Sequence, residues 1–281
     1  MQLTILGNAP APGPDGAGNS YLVESDTTAI LLDCGPGMVG KLVAHRPVST
    51  LTAVVISHTH LDHIYDLPIL FLKRYMEQRA VTPEANDGQA RTNELRVYLP
   101  PGAVATLNTI LAAFGLGRDA EGIPSMLSDI VLTEYDPHAA LAIGDLSVAF
   151  IGPTRHHPGN CYAMRVTDPS GALLAYSGDT SPDPLIVEIA RNADCFLCEA
   201  TMMDNGDLAG QEERHMTARA AGSYATEAHA RALVLTHLLN FTPEWLDGLA
   251  RAARETFAGP VEVARIGHTF TVTAATPEAM R

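Results

Sequence analysis

Short apolar runs rich in Val, Ile and Leu recur along this chain. Each ends at a polar or glycine-bearing corner, and many are followed by a stretch with helical spacing. The pattern predicts strands near 2–7, 18–25, 28–35, 51–57, 95–99, 129–135, 145–151, 160–167, 171–177, 194–199, 232–237 and 261–272. It predicts helices near 37–46, 62–80, 102–114, 182–193, 216–230 and 242–257. That order implies an α/β class, an αββα sandwich of two mixed sheets flanked by helices. No short-period repeat and no linker-like stretch breaks it. The 281 residues, 46% of them hydrophobic, therefore read as one domain over 1–281 with a large core.

The polar corners carry the chemistry. His58-Thr59-His60-Leu61-Asp62-His63 follows the uncharged, β-branched run 51–56 and precedes a predicted helix, so it sits at a strand-to-helix corner. In extended chain residues two apart face the same way, so His58 and His60 can grip one ion. Asp62 and His63, turned by the start of the helix, point to a second centre. Two adjacent metals suit this layout better than one. Further candidates stand at later strand ends: His156-His157 after 146–151, Asp179 after 172–176, and His237 after 233–236. Taken singly, Asp179 also reads as a turn or N-cap residue and His237 as a surface histidine.

The order His-x-His-x-Asp-His, then His, Asp and His, resembles the metallo-β-lactamase-fold hydrolases over nearly the whole chain. It is most similar to the ribonuclease Z-like branch, which includes cyclic-nucleotide phosphodiesterases. Gly18-Asn19-Ser20-Tyr21-Leu22-Val23, Cys198-Glu199-Ala200-Thr201 and His215-Met216-Thr217-Ala218 support that placement. The resemblance implies that His58, His60 and His157 hold one metal, that Asp62, His63 and His237 hold the other, and that Asp179 bridges them. His157 is preferred to His156 because His157-Pro158-Gly159-Asn160 runs into a strand ending Met164-Arg165-Val166, as in the resembling proteins. His156 is then expected to face away.

The implied chemistry is hydrolysis. Two divalent ions about 3.5 Å apart can bridge a water and give hydroxide near neutrality. Zn²⁺ is expected, and Mn²⁺ or Fe²⁺ suit the same N/O donors. Asp62 or Asp179 would orient the nucleophile. By resemblance His215 protonates the leaving group, and Glu199 orients a ligand or that histidine. A cysteine in place of Asp179 would mark class B lactamases, and a glutamate in place of His60 would mark flavodiiron proteins. This chain has neither.

Charge narrows the substrate. Lys and Arg total 18 against 32 Asp and Glu, a formal net charge of −14, and no basic stripe offers a path for long nucleic acid. Only residues 158–178, read as a hairpin, lie where the ribonuclease Z branch carries a long arm for transfer RNA. A small phosphodiester such as a cyclic nucleotide is therefore expected. Thioester or lactone hydrolysis is the runner-up, and transfer-RNA 3′-processing ranks below it. The expected partner is a small-molecule substrate, with no membrane, and a homodimer is left open. Neither a signal peptide nor a membrane span is legible, and the four cysteines form no disulfide framework, which points to the cytoplasm. Cys195-Phe196-Leu197-Cys198 reads as core. Segments 81–93 and 200–213 are candidates for pocket rims. Tyr65, Phe71, Tyr75, Phe114 and Phe241 are candidates for stacking on a base.

Overall fold

The computed structural model describes residues 1–13, 16–81, 94–116, 126–156, 160–202 and 214–275. Two seven-stranded sheets lie face to face with helices on both outer surfaces. The first sheet holds β1 (Gln2–Gly7), β2 (Ser20–Glu24), β3 (Ala29–Leu32), β4 (Ala53–Val55), β5 (Leu95–Leu99) and β6 (Ile130–Glu134) in that order. The second holds β7 (Leu141–Ile143), β8 (Leu146–Ile151), β9 (Ala163–Thr167), β10 (Leu173–Tyr176), β11 (Cys195–Glu199), β12 (Leu233–Thr236) and β13 (Val261–Val263). The last strand, β14 (Thr269–Thr271), returns to the first sheet and pairs antiparallel with β1. The helices are α1 (Met38–His45), α2 (Leu61–Ile64), α3 (Leu67–Val81), α4 (Ala103–Ala113), α5 (Pro184–Ala190), α6 (Ala218–Glu227) and α7 (Pro243–Arg254).

The continuous apolar runs follow from this layering. A strand between a second sheet and a helix layer buries both faces, so it reads as unbroken hydrophobic sequence. In β2, Tyr21 and Val23 face the central core while Leu22 faces α1 and α3. Opposite them Met164, Val166, Leu174, Tyr176 and Leu197 close the core. Outside the second sheet, Phe196, Leu233 and Leu235 pack on Ile186, Ala221, Ala225 and Leu249 of α5, α6 and α7. Each such fully buried large apolar side chain stabilises the fold by roughly 1.5–3 kcal/mol. The helices start where the sequence caps them. Asp183 and Thr242 accept backbone N–H bonds ahead of Pro184 and Pro243, and Thr217 accepts the Ala220 N–H.

Strand direction gathers the site. β3 and β4 run parallel, as do β10, β11 and β12. β8 is antiparallel to β9, which is antiparallel to β10, so β8 points the same way as β10. The segments leaving β3, β4, β8, β10, β11 and β12 thus emerge at one edge of the sandwich.

Three elements depart from the sequence pattern. Residues 261–272, expected as one strand, form β13 and β14 in opposite sheets. Gly267, at φ +83°, turns the chain between them. β7 is not legible as a strand because it is three residues long; it pairs with β8 through a turn at Gly144, φ +57°. The helix expected over 62–80 is two, broken where the Asp66 carboxylate accepts the Val39 N–H and its own N–H is bound by the Cys34 carbonyl. Among the described residues no helix is long and apolar enough to cross a membrane.

Candidate metal centre

His58 leaves β4 through Ser57. His60 precedes the first turn of α2, which carries Asp62 and His63. Asp179 follows β10, and His237, at φ +60°, follows β12. His58, His63, Asp179 and His237 are buried; Asp62 and His60 are partly open.

Among the described residues three groups of donors result: two share Asp179, and a third, Glu199, His215 and His237, adjoins them. His58, His60, His156 and Asp179 offer ligand atoms within 4.8 Å of one another, and so do Asp62, His63, Asp179 and His237. Each group could hold one metal ion. His156 Nε2 is 3.1 Å from His60 Nδ1 and 3.8 Å from Asp179 Oδ2, and His58 Nε2 is 3.6 Å from the same oxygen. On the other side His63 Nε2 is 3.2 Å from both Asp62 Oδ2 and Asp179 Oδ1. His237 Nε2 is 3.2 Å from Asp62 Oδ2 and 3.1 Å from Asp179 Oδ2. Tetrahedral coordination with bonds of about 2.0–2.1 Å places neighbouring ligand atoms about 3.4 Å apart, so the spacing fits.

The hydrogen bonding also fits. His58 Nε2 and Asp179 Oδ1 are buried and have no hydrogen-bond partner among the described residues, a state that an ion would relieve. Four of the imidazoles have their other ring nitrogen engaged by protein. His63 Nδ1 is 2.7 Å from Asp33 Oδ2, and His58 Nδ1 is 3.0 Å from Ser57 Oγ. His237 Nδ1 is 2.6 Å from Thr201 Oγ1, and His156 Nδ1 donates to the Arg214 carbonyl at 3.0 Å. Such partners fix ring orientation and leave Nε2 facing the centre.

Charge is divided unequally between the groups. Burial and the neighbouring His63 hold the His58 ring well below the usual imidazole range; burial and His156 lower His60. Burial would lower His237 too, but the Asp179 and Asp62 carboxylates outweigh it and push the ring up to about 10. Burial likewise opposes the charged Asp179, yet His237 and His63 keep its carboxyl well below the usual range. His58 and His60 therefore favour the neutral ring, while two carboxylates, Asp62 and Asp179, face the rings of the other group.

His215 sits beside both groups, its ring 5.1 Å from His237 and 5.2 Å from His156. Its Nδ1 lies 3.1 Å from Glu199 Oε2. Burial would lower this ring, but the Glu199 charge and hydrogen bond raise it. The Glu199 carboxylate is itself pinned by the Thr180 and Met216 N–H groups and the Thr201 hydroxyl.

One sequence expectation is corrected. His156 does not face away: it supplies the third imidazole of the first group, because its ring is drawn inward by the Arg214 carbonyl. His157, expected there, lies outside the described residues, as do 82–93 and 203–213 of the expected rims. Phe71 is core beneath the first sheet and cannot stack on a ligand; Tyr65, Phe114 and Phe241 are exposed, and Tyr75 is half-buried. Sequence reasoning missed Asp33, which takes hydrogen bonds from the His63 ring, the Ser57 N–H and hydroxyl, and Tyr176. Thr201 falls in the stretch Cys198–Thr201 that carries the resemblance, but without a role of its own; the signal for Asp33 is its place just beyond an apolar run.

Comparison with known proteins agrees with this geometry. Residues 28–238 match the model of the beta-lactamase superfamily domain. An uncharacterised protein of Mycobacterium leprae, ML1173, is 34% identical over 279 residues, covering 98% of this chain and 89% of its own. The probable metallo-hydrolase YhfI of Bacillus subtilis is 30% identical, covering 95% of this chain and 98% of its own. Its crystal structure superposes with a TM-score of 0.78 over 96% of this chain and 98% of that one. A ribonuclease Z from Myxococcus xanthus is 28% identical across 96% of this chain and 97% of its own. Yeast PDE1, at 14% identity and a TM-score of 0.69 over 97% of this chain and 99% of that one, shares the fold. This chain belongs to the metallo-β-lactamase-fold superfamily and resembles its ribonuclease Z-like branch. Its His/Asp clusters are the candidate metal-binding residues of a metallo-hydrolase.

Proposed function

We propose that this protein is a two-metal hydrolase of small phosphodiesters, cyclic nucleotides among them. The observation that carries the reading is the pair of donor groups sharing Asp179, with the His215–Glu199 pair beside both. His58, His60 and His156 would hold one ion, Asp62, His63 and His237 the other, with Asp179 between. Zn²⁺, Mn²⁺ or Fe²⁺ suit these donors. Ions held there supply Lewis acidity to the phosphoryl oxygens and lower the pKa of the attacking water. Asp62, partly open to solvent, is placed to orient that water. His215, its Nδ1 engaged by Glu199, would carry a proton at Nε2 toward the leaving oxygen.

Two observations support a small substrate. The segment between His156 and the shared Asp179 contains the β9–β10 hairpin, closed by a tight turn at Asp168–Gly171, where a transfer-RNA arm would stand. The net charge of −14 opposes long nucleic acid as a partner and a membrane surface as a site of action. The test is a hydrolysis panel on metal-loaded protein: cyclic nucleotides, bis-p-nitrophenyl phosphate, acyl thioesters, lactones and precursor transfer RNA. Fastest turnover of the phosphodiesters is expected. Faster turnover of thioesters or lactones would move the reading to an acyl hydrolase, and trailer removal at physiological salt to a processing nuclease.

A further inference from the structure

Asn19 is fully buried at the mouth of β2, away from the histidine cluster in sequence. Its backbone is wedged in place. The Gly18 N–H donates to Pro36 O and the Gly35 N–H donates to Asn19 O. Gly35 permits the approach, since a methyl group there would overlap Asp62 O and the Gly18 and Asn19 backbone. The side chain then has one orientation. Its Nδ2 donates to Asp62 Oδ2 at 2.9 Å, and it lies 3.2 Å from His63 Nε2. Its Oδ1 accepts from the Tyr21 hydroxyl at 3.2 Å, and that hydroxyl is 2.8 Å from Thr236 Oγ1, one residue before His237. A flipped amide would set oxygen against carboxylate and nitrogen against a donor.

Asp62 needs such a partner. It stands on the short helix α2 and is the more open of the two carboxylates in its group, with 15% side-chain exposure against 3% for Asp179. His63 Nε2, its neighbour in α2, is a donor atom for the ion in the two-ion reading, while solvent competes for the carboxylate. Resting on the two-ion reading, we infer that Asn19 is the positioning residue for the second ion. The Thr236–Tyr21–Asn19 chain ties Asp62, on α2, to β12, the strand of the second sheet that delivers His237. Both ligands are thereby set against one centre.

The test is Co²⁺ titration of metal-stripped protein, followed by absorption and elemental analysis. Wild type is expected to take two ions. Asn19→Ala should keep one at wild-type affinity and weaken the other by roughly 10–100-fold, the usual cost of losing a partner behind a ligand. Its metal-free melting temperature should stay within a few degrees of wild type. Adding His156→Ala should abolish tight binding, placing the weakened ion at Asp62. Tyr21→Phe keeps the ring packing and removes the orienting hydroxyl; about a 5-fold weakening of the same ion is expected, the equivalent of one hydrogen bond. Two ions bound by Asn19→Ala at wild-type affinity would overturn the inference alone, as would equal weakening of both ions or an unchanged Tyr21→Phe. A wild-type chain that takes up fewer than two ions would overturn the two-ion reading beneath it.

Discussion

His156 Nε2 stands 3.1 Å from His60 Nδ1, and the opposite nitrogen of His156 is held 3.0 Å from the Arg214 carbonyl. Two imidazoles so close, each with a donor atom aimed into the same space, could form one face of an ion site. His156→Ala should therefore remove one ion per chain and cost more turnover than the roughly 10–100-fold of a change behind the ligands. His157→Ala should leave both metal content and rate near wild type. Elemental analysis of the two variants decides the matter; the reverse pattern would restore His157 as the ligand.

The His215–Glu199 contact predicts a dependence on the leaving group. His215→Ala should retain both ions but lose about 10²–10⁴-fold in turnover of an alkyl phosphodiester, whose alkoxide needs a proton. With p-nitrophenolate as leaving group the loss should be much smaller. Equal losses would mean that His215 positions the phosphate; a lost ion would make it a ligand.

Asp33 predicts an effect at a distance from any ligand atom. Its carboxylate accepts from His63, Ser57 and Tyr176 at 2.7–2.8 Å. Asp33→Asn keeps the shape but replaces one acceptor oxygen with a donor. Weakening of the second ion by about 10–100-fold is expected, read by metal titration against wild type. Unchanged affinity would show that His63 is oriented by packing alone.

Gly35 predicts a steric effect. Gly35→Ala drives a methyl group into Asp62 O and the Asn19 backbone, both of them main chain that cannot swing aside. The variant should fold but lose the roughly 1–3 kcal/mol of stability typical of overpacking, seen as a lower melting temperature, and bind the second ion poorly. A stable variant with full metal content would show that the loops can part without cost.

Much of the candidate site is legible in the sequence because its candidate ligands stand just past the ends of apolar runs. His58 and His60 follow β4, Asp179 follows β10, and His237 comes directly after Thr236, the last residue of β12. The choice between His156 and His157 is not legible, because adjacent imidazoles differ only in which way the loop turns. That turn is decided by the Arg214 carbonyl, which arrives from another part of the chain. The roles of Asp33, Asn19 and Thr201 escape for a related reason, although the last two stand in stretches that carry the resemblance. Each acts through contacts with residues far from it in sequence, and none stands in a cluster of metal-ligating types. In the fold, the two buried sheets are readable from their apolar runs. The split of 261–272 between sheets is not, since a single glycine turn redirects the chain from one sheet to the other.

The most direct measurement is the rate of cyclic-nucleotide hydrolysis by metal-stripped protein as Zn²⁺, Mn²⁺ or Fe²⁺ is added back. Turnover should be negligible without metal and should rise until it levels off at about two ions per chain, as a two-ion centre requires. Full turnover in the stripped protein, or saturation with a single ion, would contradict the two-metal mechanism.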